Sequence, residues 1–293
     1  MAAMSIVTRF APSPTGYLHL GHAFSAWTAW RRARAAGGRF LLRLEDIDPA
    51  RCRPEYADAV RQDLAWLGLD WDGPVRVQSV HMEEYAAVLA ALRDSGLTYP
   101  CFCSRADIQR QTLAAAPHGP SGGPLYPGTC RDLPDTVRAA RAHEPHALRL
   151  HMARAMINGL TFREEGDGVV QADPARFGDV AIARKETPAS YHLCVTHDDA
   201  AQGVTLVTRG EDLKDATHLH RLLQALMGWP VPDYAHHGLL TGADGKRLAK
   251  RDAAMTLRAL RDSGVTPPDI LRRFVAGPDR RQDQPPNRQR QER

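Results

Sequence analysis

The chain has 293 residues, of which 43% are hydrophobic and 25% are charged, and its formal net charge is +4. These values are typical of a globular protein of one large or two modest domains, and the mild positive charge permits a polyanionic partner without requiring one. Apolar runs of the ~20 residues that span a bilayer are absent from the sequence, as is the apolar core of a signal peptide. We therefore expect a cytoplasmic protein with no membrane partner.

Residues 1–98 alternate between strand and helix patterns. The predicted elements are a strand over 5–10, a helix over 18–34, a strand over 39–44, a helix over 54–67, a short strand over 75–80 and a helix over 81–95. This order is typical of parallel βαβ units, in which helices connect neighbouring parallel strands.

Residues 99–187 differ from the preceding residues in composition, because they contain cysteines and an Ala/Pro/Gly-rich stretch over 114–127. We predict strands over 146–151 and 178–183 and interpret the whole segment as an insertion into the α/β domain. Beyond it we predict strands over 191–195, 203–209 and 234–240, a helix over 218–227, and short helices over 257–263 and 268–274. From residue 278 apolar side chains are scarce, and this tail is predicted to be disordered.

A nucleotide site is predicted where the first strand meets the first helix. The connecting turn contains Gly16, and His19 and His22 are one helical turn apart, so that both can face the start of the helix. Backbone N–H groups and the helix dipole favour phosphate at such a position, and imidazoles can donate hydrogen bonds to phosphate oxygens. Gly21 leaves room for an adenine or ribose ring against the backbone.

A second phosphate-binding segment is predicted after the strand over 234–240. The run Gly245-Lys-Arg-Leu-Ala-Lys-Arg-Asp252 forms a basic loop, and the cations of Arg247 and Lys250 can stabilise charge on a leaving pyrophosphate.

Three of the five cysteines, Cys101, Cys103 and Cys130, lie close together in the sequence, which favours a metal site over a disulfide framework. Three thiolates leave one position of a four-coordinate zinc site to be filled. Tyr126, His118 and water are the candidates for it.

The segment Arg9-Phe-Ala-Pro-Ser-Pro-Thr-Gly-Tyr-Leu-His-Leu-Gly-His22 resembles the nucleotide-binding signature of class I aminoacyl-tRNA synthetases of the glutamyl group. The later stretches Leu44-Glu-Asp-Ile-Asp-Pro49 and Thr208-Arg-Gly-Glu-Asp-Leu213 resemble the same family in the same order. The resemblance implies an α/β fold: a Rossmann-like parallel-sheet catalytic domain with an inserted zinc-containing α+β subdomain and a short C-terminal helical segment. The expected division is a catalytic domain over 1–98 and 188–240, an inserted zinc-binding, acceptor-type subdomain over 99–187, the basic loop with a helical stem-contact segment over 241–277, and a disordered tail over 278–293.

The resemblance also implies roles for single residues. Glutamate would be bound by Arg9, Phe10, Ala11, Pro12, Ser13, Glu45, Tyr191 and Arg209. Catalysis would rest on His19, His22 and Lys250, and ATP with its Mg²⁺ would contact these three together with Gly21 and Arg247. The planar guanidinium group of arginine suits a carboxylate of the substrate, and an acidic side chain suits the substrate's ammonium group. Glutamine is the nearest rival substrate. In the basic loop, Arg247 stands where the family has lysine and Ala249 where it has serine, and arginine can still bind phosphate.

Short members of the family carry a Cys-x-Cys…Tyr-x-x-x-Cys zinc site. The resemblance therefore implies one structural Zn²⁺ per chain, held by Cys101, Cys103, Tyr126 and Cys130.

Only about 40 residues follow the basic loop, which is too few for the anticodon-reading domain of a full glutamyl-tRNA synthetase. This favours the glutamyl-queuosine tRNA(Asp) synthetases within the family. Such an enzyme makes glutamyl-adenylate from ATP and L-glutamate without tRNA, and then transfers the glutamate to queuosine in the anticodon of tRNA(Asp). We expect a monomer, with His218, Arg221 and Arg272 as candidate RNA contacts.

Two alternatives stay open. One is a truncated glutamyl- or glutaminyl-tRNA synthetase that charges a tRNA 3′ end. The other is a non-catalytic paralogue that binds amino acid or RNA.

Overall fold

The computed structural model describes residues 5–112, 119–120, 123–240 and 256–275. In chain order the elements are β1 (Val7–Phe10), α1 (Leu20–Ala35), β2 (Arg39–Leu44), α2 (Pro54–Leu67), β3 (Arg76–Val77), α3 (Met82–Asp94), β4 (Thr98–Cys101), α4 (Arg105–Gln111), α5 (Asp135–Ala140), β5 (Ala147–Leu150), α6 (Met152–Ala155), β6 (Thr161–Glu164), β7 (Gly168–Gln171), β8 (Ala181–Ala183), α7 (Tyr191–Ala201), β9 (Leu206–Gly210), α8 (Ala216–Met227), β10 (Asp233–His237), α9 (Leu257–Asp262) and α10 (Pro267–Val275). None of these described helices is long and apolar enough to cross a bilayer.

Two groups of parallel strands form the α/β part of the fold. Strands β1, β2 and β3 are parallel and lie in the order β1-β2-β3. Strands β9, β10 and β6 are also parallel, and β7 adds to β6 in an antiparallel hairpin. The N–H of Thr205 donates to the carbonyl of Val7 at 3.0 Å, so β9 begins beside β1. The carboxyl ends of β1, β2, β9 and β10 therefore share one edge, where ligands collect in parallel sheets.

Local sequence explains the sharp boundaries of α2. Pro54 occupies its first turn, where the missing N–H costs no hydrogen bond, and Gly68 ends it in the left-handed conformation with φ 75°. The predicted bounds of β2 and α2 are confirmed to the residue, and most other predicted elements differ by only a few residues.

An antiparallel sheet of β4, β5 and β8 lies within the predicted insertion and carries helices α4 to α6 between its strands. The β6–β7 hairpin comes from the same stretch of sequence. It joins the second group of parallel strands instead, because Glu164 of β6 pairs with Tyr234 of β10.

Helices α9 and α10 pack on the hydrophobic core around α1. Leu257, Ile270 and Phe274 are buried with the apolar side of α1, and the rings of Phe274 and Phe24 lie 5.4 Å apart.

The prediction of a strand over 191–195 is wrong, because these residues begin α7. Ser190 caps the helix by accepting the N–H of Leu193 at 3.3 Å. The helix buries residues all round, including Cys194 and Asp199, so its sequence lacks the 3.6-residue periodicity of a surface helix. The predicted strand over 75–80 is also shorter than expected, since β3 spans two residues and Gln78–His81 forms a 3-10 helix.

Candidate active site

A cleft of about 630 Å³ opens at the carboxyl edge of the parallel strands. Its volume is typical of small-molecule sites. The residues predicted for glutamate and for the nucleotide all line it where the structure describes them: Arg9, Phe10, Ala11, Pro12, Ser13, His19, Gly21, His22, Glu45, Tyr191 and Arg209. Arg247, Ala249 and Lys250 lie outside the described residues, as does His118.

The start of α1 is capped by two histidine side chains. His19 Nδ1 accepts the N–H of Gly21 at 3.1 Å, and His22 Nδ1 accepts the N–H of His19 at 3.3 Å. The rings stack with their centroids 3.8 Å apart. Because each Nδ1 is an acceptor, the proton of each neutral ring lies on Nε2, which is then a donor. Both rings line the cleft, so the geometry suits an anionic ligand at this helix start.

Gly21 lies against the ring of His19. A Cβ added there would lie 3.0 Å from Cε1 and 3.1 Å from Nδ1 of His19. Any larger residue would therefore displace the capping imidazole, which accounts for glycine at this position.

Arg9 extends from the end of β1 into a buried ion-pair network. Its Nε and Nη2 donate to Asp199 on α7 at 2.9 and 3.3 Å, and its Nη1 donates to the carbonyl of Thr208 at 3.1 Å. Arg43 also donates to Asp199, at 2.8 Å. Burial opposes ionisation of Asp199, but the charges of Arg9 and Arg43 hold its pKa below the usual range. Arg9 is thus already paired with an acid of the protein.

Glu45 follows β2 and lines the same cleft. Burial raises its pKa, although the positive charges of Arg43 and Arg9 oppose the rise. Arg43 Nη2 donates to Oε1 of Glu45 at 3.1 Å. A buried carboxylate at this edge can pair with a ligand's ammonium group, which would also offset its desolvation.

Arg209 lies next to the last residue of β9, lines the same cleft and contacts only neutral groups. Its Nε donates to His236 at 3.0 Å, its Nη2 donates to Thr217 at 2.8 Å, and its Nη1 lies 3.3 Å from His220 Nδ1. Within the described part of the chain it forms no salt bridge. Three of its five N–H groups are used in these contacts, which leaves two for a ligand.

Tyr191 and Ser13 border both the cleft and a second recess of about 260 Å³ that continues to Asp48 and Arg51. Burial raises the pKa of Tyr191, so its hydroxyl is neutral at physiological pH. Glu45 also borders both spaces, which makes them adjoining parts of one site.

The three cysteines that were predicted to bind a metal lie close together in the structure. The sulfur atoms of Cys101, Cys103 and Cys130 lie within 4.8 Å of one another. The Tyr126 hydroxyl oxygen is 3.3 Å from Cys101 Sγ and 3.7 Å from Cys103 Sγ. Around a tetrahedral zinc with bonds of about 2.3 Å, sulfur atoms are roughly 3.8 Å apart, so the cluster is of the right size to hold a metal ion.

The candidate RNA contacts are not gathered in the cleft. His218 accepts the N–H of Asp173 at 2.9 Å, Arg221 donates to the carbonyl of Thr161 at 2.9 Å, and exposed Arg272 pairs with Asp269.

Sequence reasoning missed the buried Arg43 and the buried groups that the site's arginines contact: Asp199, His220 and His236. The adjacent acids Asp198-Asp199 were the available signal, because they closely follow the apolar residues Leu193, Cys194 and Val195, and carboxylates that are buried require cationic partners.

Comparison with known proteins agrees with this geometry. The sequence model of tRNA synthetases class I (E and Q), catalytic domain, matches residues 5–278. A glutamyl-Q tRNA(Asp) synthetase of Rhodobacter capsulatus is 51% identical over 277 residues, covering 91% of this chain and 99% of the relative. Another, from Nocardia farcinica, is 46% identical over 268 residues, with 90% of this chain and 81% of the relative covered.

Among solved structures, a glutamate tRNA ligase of Elizabethkingia meningosepticum, in complex with its amino acid, superposes with a TM-score of 0.71 at 27% identity. The match covers 85% of this chain and 52% of that ligase, so this chain spans about half of its length.

Proposed function

The chain belongs to the family of class I tRNA synthetase catalytic domains for glutamate and glutamine, and on this basis we propose that it activates L-glutamate with ATP and transfers the glutamyl group to queuosine in the anticodon of tRNA(Asp). Membership makes it an ATP-dependent ligase. One observation carries the choice of substrate: Arg209 faces the cleft as a buried cation whose contacts are all neutral. The similarity over nearly the full length of the Rhodobacter relative supports the choice of acceptor.

The charges of the cleft match the three charged groups of glutamate. Arg209 would bind the side-chain carboxylate and Glu45 the α-ammonium group. The α-carboxylate would then point towards the start of α1, where His19 and His22 line the cleft. This orientation brings the nucleophile to the position that suits the α-phosphate of ATP.

Activation requires an oxygen of the α-carboxylate to attack the α-phosphorus while the bond to pyrophosphate breaks. The Nε2–H groups of His19 and His22 would donate to the phosphate oxygens as negative charge develops on them. We propose that Lys250 and Arg247 neutralise the leaving pyrophosphate. Mg²⁺ would accompany ATP, held mainly by phosphate oxygens and water. No side chain needs to act as a covalent nucleophile, because positioning and electrostatics supply the catalysis.

The second step needs an acceptor hydroxyl beside the activated carbonyl. The recess next to the cleft offers room for it, since Ser13, Glu45 and Tyr191 border both spaces. Asp48, which accepts from Arg51 at 2.6 Å, places a carboxylate there that can also accept hydrogen bonds from a diol. Attack of one hydroxyl on the carbonyl would release AMP and leave glutamate as an ester on the modified base.

We also propose that the cysteine cluster holds one structural Zn²⁺, with Tyr126 as the fourth ligand. Its hydroxyl oxygen lies near two of the three sulfur atoms and accepts the N–H of Cys130 at 2.8 Å. A bound cation would deprotonate the thiols and the phenol and would tie the end of β4 to the segment around Cys130.

Amino-acid-dependent exchange of pyrophosphate into ATP tests the activation step. The purified protein should catalyse exchange with glutamate in the absence of any tRNA, and the rate with glutamine should be far lower. Folded, metal-loaded protein that shows no exchange with glutamate would contradict the proposal and favour a binding role.

A further inference from the structure

We infer that His236, Glu164 and His220 are positioning residues that hold Arg209 as a cation with no carboxylate of the described residues in direct contact, and that this arrangement selects an acidic over an amide side chain in the substrate. The inference rests on the proposed function and deepens it. It extends the amino-acid site to residues of β6, β10 and α8 that lie behind Arg209.

The sheet register sets this arrangement. His236 lies directly opposite Arg209 in the parallel pair of β10 and β9. Glu164 at the end of β6 meets His236 from the other side, with Oε1 accepting its backbone N–H at 3.1 Å and Oε2 lying 2.8 Å from its ring Nδ1. The side chains of His236 and Glu164 are only 2% and 1% exposed. The hydrogen bonds that link Glu164 to His236 and His236 to Arg209 are therefore fixed by two strand pairings and shielded from water.

The proton positions follow from Arg209, because a guanidinium can only donate. His236 Nε2 must accept from Arg209 Nε, so its proton lies on Nδ1 and is donated to Glu164. On the other side His220 Nδ1 accepts from Arg209 Nη1, so its Nε2–H is donated to His192 Nδ1 at 3.1 Å. Burial and the charge of Arg209 lower the pKa of His236 to about 3, which keeps this ring neutral.

The other buried arginines of the site are held differently. Arg9 and Arg43 both pair directly with Asp199, and Arg43 pairs with Glu45 as well. An imidazole ring separates Arg209 from the carboxylate of Glu164. The ring orients the guanidinium through a hydrogen bond without neutralising it, so its charge stays available to a ligand. A ligand carboxylate gains a charge-assisted bond to this cation, whereas an amide gains only the weaker bond of a neutral acceptor.

Three variants at position 236 test the inference. His236→Leu removes the acceptor from Arg209, and His236→Gln restores one, because the glutamine oxygen reaches about as far as Nε2. His236→Glu places a carboxylate against Arg209. The assay is pyrophosphate exchange with glutamate and with glutamine, after circular dichroism has shown that each variant is folded.

We expect His236→Leu to raise the KM for glutamate about tenfold or more, with the KM for ATP nearly unchanged, and His236→Gln to recover most of the loss. His236→Glu should reduce the preference for glutamate over glutamine by at least about tenfold. As a matched control, His151→Leu replaces a half-buried histidine that packs against Tyr99, outside the residues that line the cleft. It should leave both amino-acid KM values unchanged.

The outcomes separate the inference from the proposed function. If the wild-type protein shows no exchange with glutamate, the proposed function fails. If the wild-type protein exchanges with glutamate but His236→Leu keeps the wild-type KM, or if Leu and Gln variants change alike, the positioning role is contradicted while the function stands. An unchanged glutamate preference in folded His236→Glu would contradict the selection of acid over amide.

Discussion

Arg9 and Asp199 are 190 residues apart in the chain, yet the Arg9 guanidinium donates through both Nε and Nη2 to the buried Asp199 carboxylate. The pair joins the first strand to α7 and shares Asp199 with Arg43. This pairing fixes the position of the Arg9 side chain. Because Arg9 is already paired with a carboxylate of the protein, it is less suited than Arg209 to neutralise a carboxylate of the substrate.

Replacing Asp199 with Ala should strongly destabilise the fold, because it leaves two buried arginines without their shared partner. Loss of one member of a buried ion pair typically costs about 3–5 kcal/mol. Chemical denaturation should show this loss in the free energy of unfolding. Asp94→Ala, which removes an exposed acid that pairs with Arg93, is the matched control and should have little effect. Equal stability of the two variants would count against the network.

Gly21→Ala should impair ATP binding without unfolding the protein. The new methyl group would lie about 3.0 Å from the His19 ring and force the capping imidazole to shift. We expect the KM for ATP in the exchange assay to rise while the KM for glutamate changes much less. Gly123→Ala, at an exposed position outside the cleft where an added Cβ would meet no atom within 4 Å, controls for a general effect of replacing glycine. A wild-type KM for ATP in Gly21→Ala would mean that the capping rings do not contact the nucleotide.

Stability should fall on mild acidification because of the buried neutral histidines. Burial, together with the charge of Arg209, lowers the pKa of His192 to about 4 and that of His236 to about 3, from 6.5. Below pH 6.5 the unfolded chain binds protons at these sites that the folded chain does not. The stabilisation is thus complete above pH 6.5 and is lost as the pH falls towards 4 and 3, at up to about 1.4 kcal/mol per pH unit for each histidine.

Urea unfolding at a series of pH values measures this slope. Zinc release also depends on pH, so the informative quantity is the difference between the wild-type protein and His236→Gln, which keeps the cysteine cluster. The wild-type protein should lose more stability between pH 6.5 and 4 than the variant does. Parallel curves would show that His236 is not held neutral by burial.

The purified protein should contain one zinc per chain by elemental analysis. Cys130→Ala should lose the metal, because it removes one of three clustered sulfur ligands. Tyr126→Phe should retain zinc with reduced affinity in a chelator competition, since water can replace a phenolate as fourth ligand. Wild-type affinity in Tyr126→Phe would exclude Tyr126 as a ligand, and metal-free protein with reduced cysteines would contradict the zinc site itself.

Much of the site was predictable because parallel strands bring sequence-distant residues to one edge. Arg9, Glu45 and Arg209 each lie within one residue of the carboxyl end of a strand that the sequence pattern identified, and all three line the cleft. Their partners were not predictable in the same way. Asp199 lies on a helix that buries residues all round, so its periodicity resembled a short strand, and His236 reaches Arg209 only through the strand register. The basic loop with Lys250 lies outside the described residues, and its role stays a prediction.

Transfer of glutamate to queuosine is the central claim, and one measurement tests it most directly. Radiolabelled glutamate and ATP are incubated with the protein and either tRNA(Asp) that carries queuosine or the same tRNA with unmodified guanosine at that position. We predict incorporation into the queuosine-containing tRNA alone. Equal incorporation into both tRNAs would contradict the account and identify the 3′ end as the acceptor.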